Sequence, residues 1–133
     1  MPKSEKPVAI ITGGSRGVGE ATAKLLASKG WNVTITCTST IEDANEVVEG
    51  CKKSGVEGLA IKADVSDDEA CKKTIEETVS QWGRIDSLVN NAGTTKFVFD
   101  HSNLEGFLLK NARNLRIIQF FIRLKINQFL MIK

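Results

Sequence analysis

The chain has 133 residues, 41% hydrophobic and 26% charged, the length and composition of one soluble globular domain able to bury a core. Its first seven residues are polar and contain no apolar run, which is read as excluding a secretory signal and an N-terminal membrane anchor. Three cysteines, an odd number without C-x-x-C spacing, argue against a disulfide framework or a metal site and for reduced thiols in the cytoplasm.

The net charge of +2 averages two unlike parts. Up to Glu105 there are twelve Lys and Arg against sixteen Asp and Glu; from Gly106 to Lys133 there are six Lys and Arg and no acid. The division expected is therefore a body over residues 1–105 and an atypical basic, apolar tail over residues 106–133.

Val8–Ile11 is an apolar, β-branched run and predicts a strand. It meets Thr12-Gly13-Gly14-Ser15-Arg16-Gly17-Val18-Gly19, a glycine-rich turn that opens a helix and suits a phosphate: Gly13 allows the tight turn, Gly17 a close backbone approach, and Gly19 close packing of the helix. The helix is expected over residues 16–29, with Val18, Ala21, Leu25 and Leu26 as its apolar stripe and Gly30 as its stop. Residues 32–38 are largely β-branched and predict a second strand, parallel to the first by the crossover rule.

A second helix is expected over residues 43–54, burying Ala44, Val47, Val48 and Cys51, and a third strand over residues 56–63, ending at Asp64. Ser66-x-x-Glu69 has the form of a capping box that starts a third helix, with Ile75, Val79 and Trp82 as its stripe and Gly83 as its end. Residues 85–90 predict a fourth strand running into Asn90-Asn91-Ala92-Gly93. Successive strand–helix units imply an α/β fold with a doubly wound parallel sheet in the order 3-2-1-4.

Three motifs in order, the T-G-x-x-x-G-x-G run from Thr12, Asp64-Val65 and Asn90–Gly93, resemble the short-chain dehydrogenase/reductase family, and are similar to its 3-oxoacyl-carrier-protein reductase and tropinone-reductase-like members. The resemblance covers about residues 6–100 and implies the first half of a Rossmann-type fold. The family's usual chain is roughly twice as long, and with Met1 read as a start the missing part is expected at the C-terminal end.

The resemblance also implies a nicotinamide dinucleotide cofactor, held by Gly13, Gly14, Ser15, Arg16, Gly17, Val18 and Gly19 at the diphosphate. Asp64 and Val65 would contact the adenine, and Asn91, Ala92 and Gly93 would lie beside the cofactor. An NAD site needs an acid at the end of the second strand, where this chain has Cys37-Thr38-Ser39 and no acid until Glu42. Arg16, Thr38 and Ser39 can instead receive a 2′-phosphate, so NADP (NADPH) is the cofactor expected.

Carbonyl reduction in the family rests on a serine and a Tyr-x-x-x-Lys pair, the tyrosine moving the proton, and this sequence contains no tyrosine. Asn114 is off register for the family's assisting asparagine, and no catalytic or metal residue is assigned. His101, the one histidine, has no nucleophile or ligand partner nearby in sequence and reads as a loop residue.

For residues 106–133 three readings stand: a helix covering the sheet, an interfacial basic amphipathic helix, or a terminus altered by truncation, splicing or a shifted frame. The Asn, Lys, Ile, Phe and Leu enrichment favours the last, and the Ile and Phe content argues against a nucleic-acid arm. The function expected is an NADP-binding portion of an oxidoreductase that does not turn over. The alternative is a noncatalytic binding protein or truncated product whose tail docks on a membrane or on a full-length relative.

Overall fold

A computed structural model describes residues 3–93, and the statements below concern these. The elements follow the chain as β1 (Val8–Ile11), α1 (Gly17–Ser28), β2 (Asn32–Cys37), α2 (Ile41–Lys52), β3 (Gly58–Lys62), α3 (Asp68–Trp82) and β4 (Ser87–Val89). The four strands form one sheet in the order β3-β2-β1-β4, and every pairing is parallel. The sequence predicts the same order and the same class. His101, Asn114 and the whole of residues 106–133 lie outside the described residues.

β1 is central, pairing Ile10 with Thr34 on one side and with Leu88 on the other, and its four residues are all fully buried. A strand covered on both faces has no use for polar alternation, which explains its continuous apolar run. On one face α1 and α2 enclose Ala9, Ile11, Val33, Ile35 and Cys37 with Ala44, Val47, Val48 and Cys51. On the other face Ile10 packs with Ile75 and Ile85. The buried threonines of β2 are tolerated because their hydroxyls are bonded: Thr34 and Thr78 oxygens lie 2.9 Å apart.

Of the stripe expected on α1, Leu26 alone packs against the core, half-buried. Gly19, Ala23 and Ala27 face the sheet, whereas Val18 and Leu25 are 75% and 60% exposed and Ala21 is exposed as well. Small side chains at four-residue spacing let the helix axis come close to the strands, and a hydropathy count underweights them. α2 buries the four residues the sequence predicts.

The start of α3 also differs. Asp64 accepts from the Ser66 amide through Oδ1 at 2.8 Å, and Asp67, not Ser66, is the N-cap, its Oδ1 accepting from Glu69 N–H at 3.0 Å. The Asp64 turn engages Ser66 before the helix begins, so the cap passes to the next acceptor, an aspartate of equal capping strength. α3 ends at Gly83 in the left-handed conformation with φ 69°.

Away from the strand C-termini, the N-terminal segment is tied down by side chains. Arg84 pairs with Asp86 through Nη2–Oδ1 at 2.7 Å and Nε–Oδ2 at 2.8 Å, and donates from Nη1 to the Ser4 carbonyl at 3.1 Å. The hydrogen bond to Asp86 raises the Arg84 pKa.

Candidate functional site

The C-terminal ends of the strands bring together the loops after β1, β2, β3 and β4. Because α1 leads from β1 to one side and β4 lies on the other, the crevice between these loops is a topological switch point, the place where open α/β sheets bind ligands.

In the loop after β1, Gly13 has φ 66°, and a Cβ there would sit 3.0 Å from the Ala92 Cα. Gly14 is packed against Ile35, where a Cβ would lie at 2.7 Å. The amides of these two glycines are engaged: Gly13 N–H donates to Thr36 Oγ1 at 3.3 Å and Gly14 N–H to the Thr36 carbonyl at 3.1 Å. Thr36 therefore clamps the loop from the neighbouring strand.

The donors that remain belong to the start of α1. Arg16 is the N-cap in extended conformation, φ −158°, and no side chain caps the helix; the first helical bond is Glu20 N–H to the Arg16 carbonyl at 3.2 Å. The N–H groups of the first turn, with the positive end of the helix dipole, face outward at the crevice. Ser15 is half-buried, while Arg16, Gly17 and Val18 are exposed. Nothing lies within 4 Å of where a Gly17 Cβ would be, so this stretch of backbone is open to approach. Gly19, in contrast, presses on the Gly13 carbonyl and lies where a Cβ would be 2.5 Å from Asn91 Nδ2. It serves the contact between helix and loops.

The end of β4 is bound to the same loop. Thr12 Oγ1 accepts from the amides of Asn91 and Ala92 at 3.1 and 3.0 Å, and Asn91 Nδ2 donates to the carbonyls of Thr12 and Gly13 at 3.1 and 3.0 Å. Asn91 and Ala92 are half-buried and Gly93 is exposed. The Asn91 amide nitrogen is thus held by backbone.

On the outer rim, Thr38 and Asp64 are exposed and Ser39 and Val65 half-buried. Cys37, beneath Thr38, donates from Sγ to the Thr40 carbonyl, and burial pushes its thiol pKa up despite the opposing charge of Lys62. A thiol so placed is a packing group, not a nucleophile.

All the sequence-predicted positions fall on this one rim. Thr12, directly after β1, and Thr36, within β2, carry no holding role that the sequence alone assigns: only the pairing of β1 with β2 and β4 gives their hydroxyls a loop to hold. Among the described residues there is no group of three potential metal ligands, and no helix is long and apolar enough to cross a membrane.

Known proteins share this arrangement. A 3-oxoacyl-(acyl-carrier-protein) reductase of Staphylococcus epidermidis is 47% identical over 88 residues, which are 66% of this chain and 36% of that protein. The chain therefore spans little more than a third of the length of that curated relative. An NAD+-bound xylitol dehydrogenase superimposes with a TM-score of 0.80 at 26% identity, over 92% of this chain and 49% of the other. A metagenomic short-chain oxidoreductase in complex with NADP superimposes with a TM-score of 0.62 at 35% identity, over 66% of this chain and 39% of the other. The sequence pattern of the short chain dehydrogenases matches residues 7–109, and the chain belongs to that family.

Proposed function

We propose that this polypeptide binds NADP(H) at the crevice between the β1 and β4 loops, as the cofactor-binding portion of an oxidoreductase. The observation that carries this reading is the uncapped first turn of α1 beside an open Gly17 backbone, with Arg16 exposed and, among the described residues, in no ion pair or hydrogen bond through its side chain. Amides with no acceptor among the described residues and a positive helix end suit a diphosphate. Ser15, Gly17 and Val18 would hold it in the loop that Gly13, Gly14 and Gly19 shape, Asp64 and Val65 would hold the adenine, and Asn91, Ala92 and Gly93 would lie beside the inner half of the dinucleotide.

The second strand ends in Thr38 and Ser39 without a carboxylate, so nothing there repels a 2′-phosphate and Arg16 can pair with it. The relatives include both NAD+ and NADP complexes, so the choice between the two is argued from these side chains alone. When bound, the nicotinamide supplies or accepts hydride in exchange with a carbonyl or alcohol.

These 133 residues contain no tyrosine to move the accompanying proton, and we expect them to bind cofactor without turnover. Residues 1–105 would form the NADP-binding portion and residues 106–133 an atypical basic, apolar tail, in a cytoplasmic protein. A second reading, a noncatalytic protein docking through residues 106–133 on a membrane or a full-length relative, draws on their six Lys and Arg without an acid.

The test is titration of NADPH and NADH against Trp31 and Trp82 fluorescence, with Arg16→Met alongside, and an assay for ketone-dependent NADPH oxidation. Saturable binding that favours NADPH, reduced in Arg16→Met, with no oxidation is the expected result. Absence of binding to either dinucleotide, or a preference for NADH, refutes the cofactor reading, and turnover refutes the inactivity.

A further inference from the structure

Lys62 is the last residue of β3 and pairs in register with Cys37, the last residue of β2; the next residue, Ala63, donates its amide to the Cys37 carbonyl at 2.9 Å. Parallel register partners project to the same face of a sheet, so the Lys62 side chain leaves beside Cys37, one residue short of Thr38. That is where the second strand ends, and where a dinucleotide's adenosine ribose carries its 2′ substituent in this fold class.

Lys62 is exposed, and among the described residues it takes part in no ion pair or hydrogen bond through its side chain. Other lysines differ: Lys24, Lys52, Lys72 and Lys73 each lie within ion-pair distance of a glutamate three or four residues away on the same helix. Lys29 and Lys53 stand at the C-terminal ends of α1 and α2, which the crossover places at the opposite end of the strands. Arg16 and Lys62 are therefore cations at the C-terminal rim of the sheet whose side chains have no partner among the described residues.

The same corner holds two acids. Glu42 and Asp43 lie in the first turn of α2, and their charges act on the Cys37 thiol together with that of Lys62. Without the lysine the corner would be net acidic and would repel an approaching phosphate.

We propose that Lys62 is a specificity-determining residue for the cofactor, a second cation that offsets Glu42 and Asp43 and attracts the 2′-phosphate at the end of β2. The proposal rests on the NADP(H) reading above and adds a residue to it that lies outside the glycine loop and the end of β2.

The test is calorimetric titration of the whole 133-residue protein, Lys62→Met and Lys62→Arg with adenosine 2′,5′-bisphosphate and with 5′-AMP, at low and high salt. For an exposed charge acting through water, Lys62→Met should weaken the bisphosphate about 3- to 10-fold, less at high salt, and leave 5′-AMP unchanged. Lys62→Arg should bind as the parent does. Equal weakening of both ligands, or an undiminished preference for the bisphosphate in Lys62→Met, overturns the role of Lys62 and leaves the NADP(H) reading standing. A parent protein that does not favour the bisphosphate overturns both.

Discussion

Thr12 and Asn91 hold each other reciprocally: the Thr12 hydroxyl accepts the Asn91 amide at 3.1 Å, and Asn91 Nδ2 donates back to the Thr12 carbonyl at 3.1 Å. The pair joins the loops on the two sides of the crevice, across the boundary between β1 and β4. The crevice thus owes its shape to side chain to backbone bonds as well as to the sheet.

Thr12→Val keeps the shape of the side chain but removes the acceptor of two half-buried amides, those of Asn91 and Ala92. We expect a loss of about 1–3 kcal/mol in urea unfolding, the cost of leaving buried donors unpaired, with weaker NADPH binding. Thr12→Ser, which restores the oxygen, should recover most of the loss.

Two helical glycines should respond in opposite directions. At Gly19 a Cβ would collide with the Gly13 carbonyl and come to 2.5 Å from Asn91 Nδ2, so Gly19→Ala should lower stability and binding together. At Gly50, inside α2, the nearest atom to a Cβ is the far end of Lys24 at 3.5 Å, so Gly50→Ala should raise stability by about 0.5–1 kcal/mol. Thermal and urea unfolding of the two variants checks both signs.

Placing a carboxylate at the end of β2 should reverse the cofactor preference. Thr38 is exposed on the rim and supports no packing that an aspartate would disturb. Thr38→Asp should weaken NADPH roughly 10-fold or more through charge repulsion, while NADH binds as well or better. Parallel titrations with the two dinucleotides measure the ratio.

The pH dependence of stability has a defined sign at the alkaline end. Cys37 and Cys51 are 2% and 1% exposed, and burial raises both thiol pKa values above the ordinary 9.0. A raised folded pKa means that the folded chain holds its protons more tightly than the unfolded one. The stability is therefore fully present below the unfolded pKa and is lost as pH rises from there through the folded pKa. In that window the unfolding free energy should fall by about 1.4 kcal/mol per pH unit for each thiol. Denaturant unfolding across alkaline pH, compared with Cys37→Ala and Cys51→Ala, tests the slope. At neutral pH a thiol reagent should react slowly with the native chain and rapidly after unfolding.

What the sequence by itself determined are the features that local chemistry dictates. The continuous apolar run of Val8–Ile11, the stripe of Ala44, Val47, Val48 and Cys51, and the glycine spacing from Gly13 to Gly19 are enough to place strand, helix and loop and to order the sheet. The tertiary structure decided matters that depend on contacts distant in sequence. Gly19, Ala23 and Ala27, not the larger Val18 and Leu25, face the sheet because the helix must approach it closely. Thr36 occupies the Gly13 and Gly14 amides, leaving the first turn of α1 as the open donor set, and Lys62 comes to stand beside Cys37. No local pattern encodes these, since each depends on which strand lies next to which.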